Sequence, residues 1–96
     1  MSFADISLDK LEGEPRFDGG FPAVIVKSYR KRMQMIRAAE DERAFYALKS
    51  LHFEKLKGDR SHQHSMRLND QWRLIVEIRR SQQDKKVHVV GIEDYH

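Results

Sequence analysis

The sequence contains no cysteine, which removes both a disulfide framework and a thiolate metal site and fits a reducing compartment. It also lacks any apolar run approaching the ~20 residues that a helix needs to cross a bilayer. The opening Met1-Ser2-Phe3-Ala4-Asp5 has neither the basic nor the apolar region of a secretory signal. These absences together predict a soluble, cytoplasmic protein. With 96 residues there is not enough chain for two stable cores, so residues 1–96 are expected to form one domain.

What is present is charge, unevenly placed. Lys+Arg number 18 against 15 Asp+Glu, a net of only +3, but acids dominate the start (Asp5, Asp9, Glu12, Glu14, Asp18). Bases crowd the next segment (Lys27, Arg30, Lys31, Arg32, Arg37) and recur at Lys49, Lys55, Lys57, Arg60, Arg67, Arg73, Arg79 and Arg80. Such asymmetry favours a polyanionic partner, although a charged helix face taken alone is more often simply solvated.

Glu14-Pro15 and Asp18-Gly19-Gly20 break regular structure, so residues 1–20 read as a lead segment ending in a turn or loop. Pro22 then stands where a first-turn proline is tolerated. Ile25, Tyr29, Met33 and Ile36 follow the spacing of one helical face, with Val26 widening the stripe, and predict an amphipathic helix to about residue 39. Asp41-Glu42-Arg43 interrupts it, and Ala44, Phe45, Ala47 and Leu48 give one or two further helical turns. Beyond the turn signal Lys57-Gly58-Asp59-Arg60 the period falls to two. Met66 and Leu68 lie on one strand, Leu74, Val76 and Ile78 on the next after a reversal at Asn69-Asp70-Gln71, and Val87 to Ile92 on a last one after a loop at 80–85. Helix followed by meander predicts an α+β fold, helices on one face of an antiparallel sheet and the other face partly open.

On that open face, alternation sends Arg67 and Arg73 away from the buried aliphatics, where two planar guanidinium groups suit phosphate oxygens. Pairing of Arg73 with Glu77 or Asp70 as a surface ion pair is an equal alternative. The last strand leads straight into Glu93-Asp94-Tyr95-His96. An acid, a phenol and an imidazole stand where order normally fades, which suggests a working C-terminus. Trp72, a large aromatic at a strand start, reads as core. His62 and His64 are two apart but lack an evident third ligand, so no metal site is expected, and His88 reads as a surface or packed residue.

The stretches Leu56-Lys57-Gly58-Asp59-Arg60, Gln63-His64-Ser65-Met66-Arg67-Leu68-Asn69-Asp70-Gln71-Trp72-Arg73-Leu74 and Glu93-Asp94-Tyr95-His96 resemble the HigB, or plasmid maintenance killer, branch of the RelE/ParE superfamily of bacterial toxins. The likeness covers roughly residues 22–96 in order and spacing. It implies a compact RelE-like, microbial RNase-like fold with N-terminal helices on an antiparallel sheet. It also implies ribosome-dependent cleavage of translated mRNA in the A site, and neutralisation by a helix-turn-helix, HigA-like antitoxin that represses the operon. The 70S ribosome and mRNA would be the working partners, and operator DNA would be met only through the antitoxin.

Residue by residue, the resemblance makes Arg73 the contact to the scissile phosphate and Lys57 another basic group of the site, and matches Asp94, Tyr95 and His96 to the family ending. His52 follows a leucine as the family histidine does, with two more residues before Lys57 than the shortest family spacing. Arg67 belongs to the motif of one subgroup, and Arg60 and Lys55 join it as RNA-binding candidates. The family's opening strand is shortened in the first 20 residues.

Cleavage of RNA by its own 2′-hydroxyl needs a base, positive charge on the phosphorane and an acid for the leaving 5′-oxygen, and none of these steps requires a cofactor. His96 is suited to acid or base work because imidazole titrates near ~6.5. Lys57 and Arg73 suit the phosphorane, Asp94 can orient His96 or an arginine, and Tyr95 or Trp72 can stack on a base. Because one fold serves several functions, two other classes stand beside the nuclease: a ParE-like poison of DNA gyrase, and a non-catalytic antitoxin-binding module.

Overall fold

The computed structural model describes residues 1–80 and 85–94. The apolar stripe forms helix α2, Ala23–Ala38, and Ile25, Val26, Tyr29, Met33 and Ile36 are all buried on its inner face. Pro22 stands just ahead of the helix, its carbonyl accepting from the Ile25 and Val26 amides. Helix α3, Arg43–Ala47, is the short turn expected after it and buries Phe45.

The meander is present. Strands β3 (Gln63–Arg67), β4 (Trp72–Arg80) and β5 (Lys85–Asp94) pair antiparallel in sequence order. Their first reversal is fixed by Asn69, whose Oδ1 accepts from the Gln71 amide at 2.9 Å and the Trp72 amide at 2.8 Å, an Asx turn. Of the loop expected at 80–85, residues 81–84 lie outside the described residues.

Three features differ from the sequence reading. The lead segment holds regular structure: strand β1, Ser2–Phe3, and helix α1, Ile6–Gly13. Asp5 caps α1 by accepting from the Ser7 amide at 2.8 Å, which also holds its carboxyl below the usual carboxylate range. The two-residue β2, Glu54–Lys55, adds an unanticipated edge. Strand β5 runs on through Asp94 instead of stopping at Ile92. Because β1 lies parallel to β5, the sheet is mixed, with order β1-β5-β4-β3-β2.

Helices and sheet share one cluster of buried side chains, from Leu8 and Leu11 through Tyr29 and Met33 to Met66, Leu74, Val76 and Val89. Two polar side chains fasten α1 to it. The Tyr29 hydroxyl donates to the Leu8 carbonyl at 2.8 Å. Arg30 donates to the carbonyl of Leu11, in the last turn of α1 where carbonyls lack helical partners, and to those of Glu14, Pro15 and Phe17 in the loop beyond it. His88, half-buried on β5, is hydrogen-bonded through Nδ1 to the Ser2 hydroxyl at 2.7 Å and so ties β1 to the sheet.

Candidate functional site

Met66, Leu74 and Val76 are fully buried against the helices, so alternation places Ser65, Arg67, Arg73 and Ile75 on the opposite face. Pairing registers that face in rows: Arg67 beside Arg73 beside Glu93, then Ser65 beside Ile75 beside Gly91, then Gln63 beside Glu77 beside His88. An irregularity between Ile75 and Val76 makes Val90 an extra residue on β5, a bulge that keeps both Glu93 and His88 on this face.

The first row is basic and held. Arg73 Nη1 donates to the Asn69 carbonyl at 2.7 Å and the Trp72 carbonyl at 3.3 Å, which fixes the guanidinium against the β3–β4 turn. Of the two acids weighed for Arg73, Asp70 pairs with Arg67, and Glu77 lies 3.5 Å from Arg79. From α2, Arg32 Nε donates to the Arg67 carbonyl at 3.1 Å, and burial together with the Arg67 charge lowers its pKa. A third cation crosses from the far edge. Arg60 Nε donates to Gln63 Oε1 at 3.0 Å and Nη1 to Glu93 Oε1 at 3.1 Å. Gln63 and Glu93 flank the middle row from opposite ends, so the Arg60 side chain lies across it. Ser65 and Ile75 in that row are 5% and 2% exposed. The bond to Glu93 raises the Arg60 pKa.

The other expected residues divide. Asp94 stands opposite Trp72 at the end of β5, and Gln71 Nε2 donates to its Oδ2 at 3.1 Å. Lys57 is exposed, just before the 3₁₀ turn Gly58–Arg60, whose glycine takes the positive φ of 70° that reverses the chain. His52 is exposed, with the left-handed φ of 48°, at the end of the 3₁₀ turn Lys49–Leu51. Both therefore approach from the β2 edge of the sheet. Lys55 is not brought to the arginines: it pairs with His64, one residue out of phase with Glu54 and Ser65, and so faces the other way. Tyr95 and His96 lie outside the described residues. Trp72 is half-buried, packs on the core and meets Phe21 edge to face at 5.8 Å.

Glu93 and Gln63 escaped the sequence reading. Carrying the alternation one residue past Ile92 would have placed Glu93 beside Arg73. Among the described residues no group of three or more His, Asp or Glu side chains is arranged to hold a metal, and no helix is long and apolar enough to cross a membrane.

The architecture is a mixed five-stranded sheet packed against three helices, with cations gathered on one of its faces. Among solved structures, a YoeB/ParE toxin from Agrobacterium tumefaciens superposes with a TM-score of 0.64 over 99% of this chain and 97% of that one, at 18% identity. No curated protein matches the sequence significantly. The family model of the RelE-like toxin of type II toxin-antitoxin system HigB matches residues 1–96, and the chain belongs to that family. Membership implies an antitoxin partner.

Proposed function

We propose that the chain is a ribosome-dependent endoribonuclease that cuts translated mRNA in the A site and so arrests translation. RelE-like toxins are generally endoribonucleases, and this one would work in the cytoplasm, where mRNA is translated. The observation that carries this reading is the uncovered face on which Arg60, Arg67 and Arg73 converge beside the end of β5. A sheet face of this kind accepts a single strand, and forked guanidinium groups match phosphate oxygens.

In this reading Arg73, held against its turn, and Lys57, from the β2 side, meet the charge that builds on the phosphorane. Each well-placed donor is worth on the order of 10²- to 10³-fold. His96 acts as acid or base, with His52 and Tyr95 as the other candidates for the complementary proton transfer. Asp94, at the strand end, orients its neighbours. Attack by the 2′-oxygen breaks the P–O5′ bond; the proton leaving the 2′-hydroxyl goes to the base, and the departing 5′-oxygen takes one from the acid. Arg67 and Arg60 hold flanking phosphates. A HigA-like helix-turn-helix antitoxin silences the toxin and contacts operator DNA on the pair's behalf.

Controlled expression of the intact chain, Arg73→Ala and His96→Ala, with 5′-end mapping of mRNA, tests the reading. Cuts within translated codons that vanish in the variants are expected. Toxicity with DNA damage and no such cuts would overturn it in favour of a gyrase poison, and no toxicity in favour of an antitoxin-binding module.

A further inference from the structure

The cavity into which Lys55 is turned has a chemistry of its own. About 390 Å³ in volume, it is lined by Glu42, Tyr46, Lys55, Ser61, His62, His64, Ile78 and Arg80. Three rings pack together at its wall. His64 lies flat on Phe53 at 4.7 Å and 7°, and Tyr46 meets Phe53 edge to face at 4.8 Å. Tyr46 itself is 57% exposed, an amphipathic ring that the core does not use. His64 Nδ1 is buried without a hydrogen-bond partner among the described residues. Desolvation and the nearby Lys55 charge lower its pKa, with Glu42 pulling the other way. Burial and the Lys55 charge thus favour the neutral form of the imidazole, which stands as a polar wall of the cavity. The charges at the cavity are the Lys55 ammonium, the Arg80 guanidinium and the Glu42 carboxylate, whose Oε1 accepts from Arg80 Nη2 at 3.2 Å.

Two cations, a serine hydroxyl and an exposed phenol at one mouth are the groups that bind a nucleotide: phosphate to the cations, base to the aromatic face. An acidic peptide segment would use the cations but leave the ring and the imidazoles without a counterpart. The volume falls within the ~300–1,000 Å³ of small-ligand sites. Position supports the same occupant. Arg60 reaches into the arginine groove, while the next two residues, Ser61 and His62, line this cavity. A strand leaving the groove over that turn meets the cavity next.

We infer that this cavity is a second nucleotide site, holding one nucleotide of single-stranded RNA with its phosphate between Lys55 and Arg80 and its base against Tyr46. Its identity as an RNA site deepens the nuclease reading and rests on it.

The test is an NMR titration of the purified chain with a 2′-O-methyl RNA trinucleotide, which the 2′-hydroxyl mechanism cannot cut. The imidazole resonances of His62 and His64 and the Ser61 amide are expected to shift saturably. Affinity read at those signals should fall at least tenfold in Lys55→Ala/Arg80→Ala and severalfold in Tyr46→Leu. It should fall far less in Arg67→Ala/Arg73→Ala than in Lys55→Ala/Arg80→Ala, so that the cavity is read apart from the groove. Shifts confined to the groove, or equal affinity in the Lys55/Arg80 variant, would overturn the proposal. So would a tri-glutamate peptide that binds the cavity as tightly as the trinucleotide. Absence of cavity binding in the unaltered chain, with its mRNA cuts intact, would sink this inference alone, and cavity binding without any mRNA cuts would sink the nuclease reading alone.

Discussion

At the scale of single residues, the structure separates side chains aimed at a partner from those that hold the fold. In the proposed reading Arg73 belongs to the first group, and two backbone carbonyls hold its guanidinium in place. Arg73→Ala is expected to slow mRNA cleavage in a reconstituted translation system by about 10²- to 10³-fold. Arg73→Lys should recover only part, because an ammonium cannot make the guanidinium's planar fork. An unchanged cleavage rate in Arg73→Ala would remove this residue from the proposed site.

Tyr29 belongs to the second group. Fully buried with its hydroxyl on the Leu8 carbonyl, it has a pKa raised above the usual 10.0, first by burial and then by the charges of Glu12 and Asp9. A phenol raised on folding stabilises the native state fully below the unfolded pKa. That contribution drains away as pH rises from about 10 toward the folded value, because the unfolded chain then binds fewer protons. Urea unfolding between about pH 8 and 11 should show stability falling above pH 10, and Tyr29→Phe should flatten that fall. Near neutrality the same variant should lose about 0.5–1.5 kcal/mol with the hydrogen bond.

At the scale of elements, what the sequence displayed depended on length. Helix α2 repeats its apolar spacing over 16 residues, and β3 and β4 alternate long enough to fix which face is buried; both were legible. Helix α1, with eight residues and only Leu8 and Leu11 buried, carries too little periodicity to stand out beside the Pro and Gly signals that follow it. Strands β1 and β2 have two residues each, and no period can be read from two. Their place is set by partners distant in sequence, His88 and Val89 for β1, His64 and Ser65 for β2. The site divides the same way: Arg67 and Arg73 were legible from alternation, whereas Glu93 lies beyond the expected end of the last strand, and the phases of His88 and Lys55 depend on a bulge and an edge strand. Helix α1 also offers an element-scale prediction. Arg30 joins it and the following loop to α2 through four carbonyls. Arg30→Met, which keeps the apolar stem, should cost about 1.5–3 kcal/mol of unfolding free energy, the range for hydrogen bonds from a charged group. Hydrogen exchange should rise first in residues 6–21; uniform exchange across the chain would show that the clasp is dispensable.

At the scale of the whole molecule, a net charge of only +3 conceals a sheet face where three guanidinium groups gather. For single strands the salt dependence of binding follows phosphates neutralised, with a slope near −0.7 for each. Arg60, Arg67 and Arg73 together set a slope of about −2 for binding of a 2′-O-methyl RNA to the groove, and Arg67→Ala should reduce its magnitude by about 0.7. Glu93 makes the third cation conditional, since its carboxylate holds Arg60 across the face and a phosphate can take Arg60 only by displacing it. Glu93→Gln removes the competing charge but keeps the shape. It should therefore bind RNA severalfold more tightly than the unaltered chain, with the advantage shrinking as salt screens both. Weaker binding in Glu93→Gln would mean the opposite arrangement, in which the carboxylate aims Arg60 at the strand instead of withholding it.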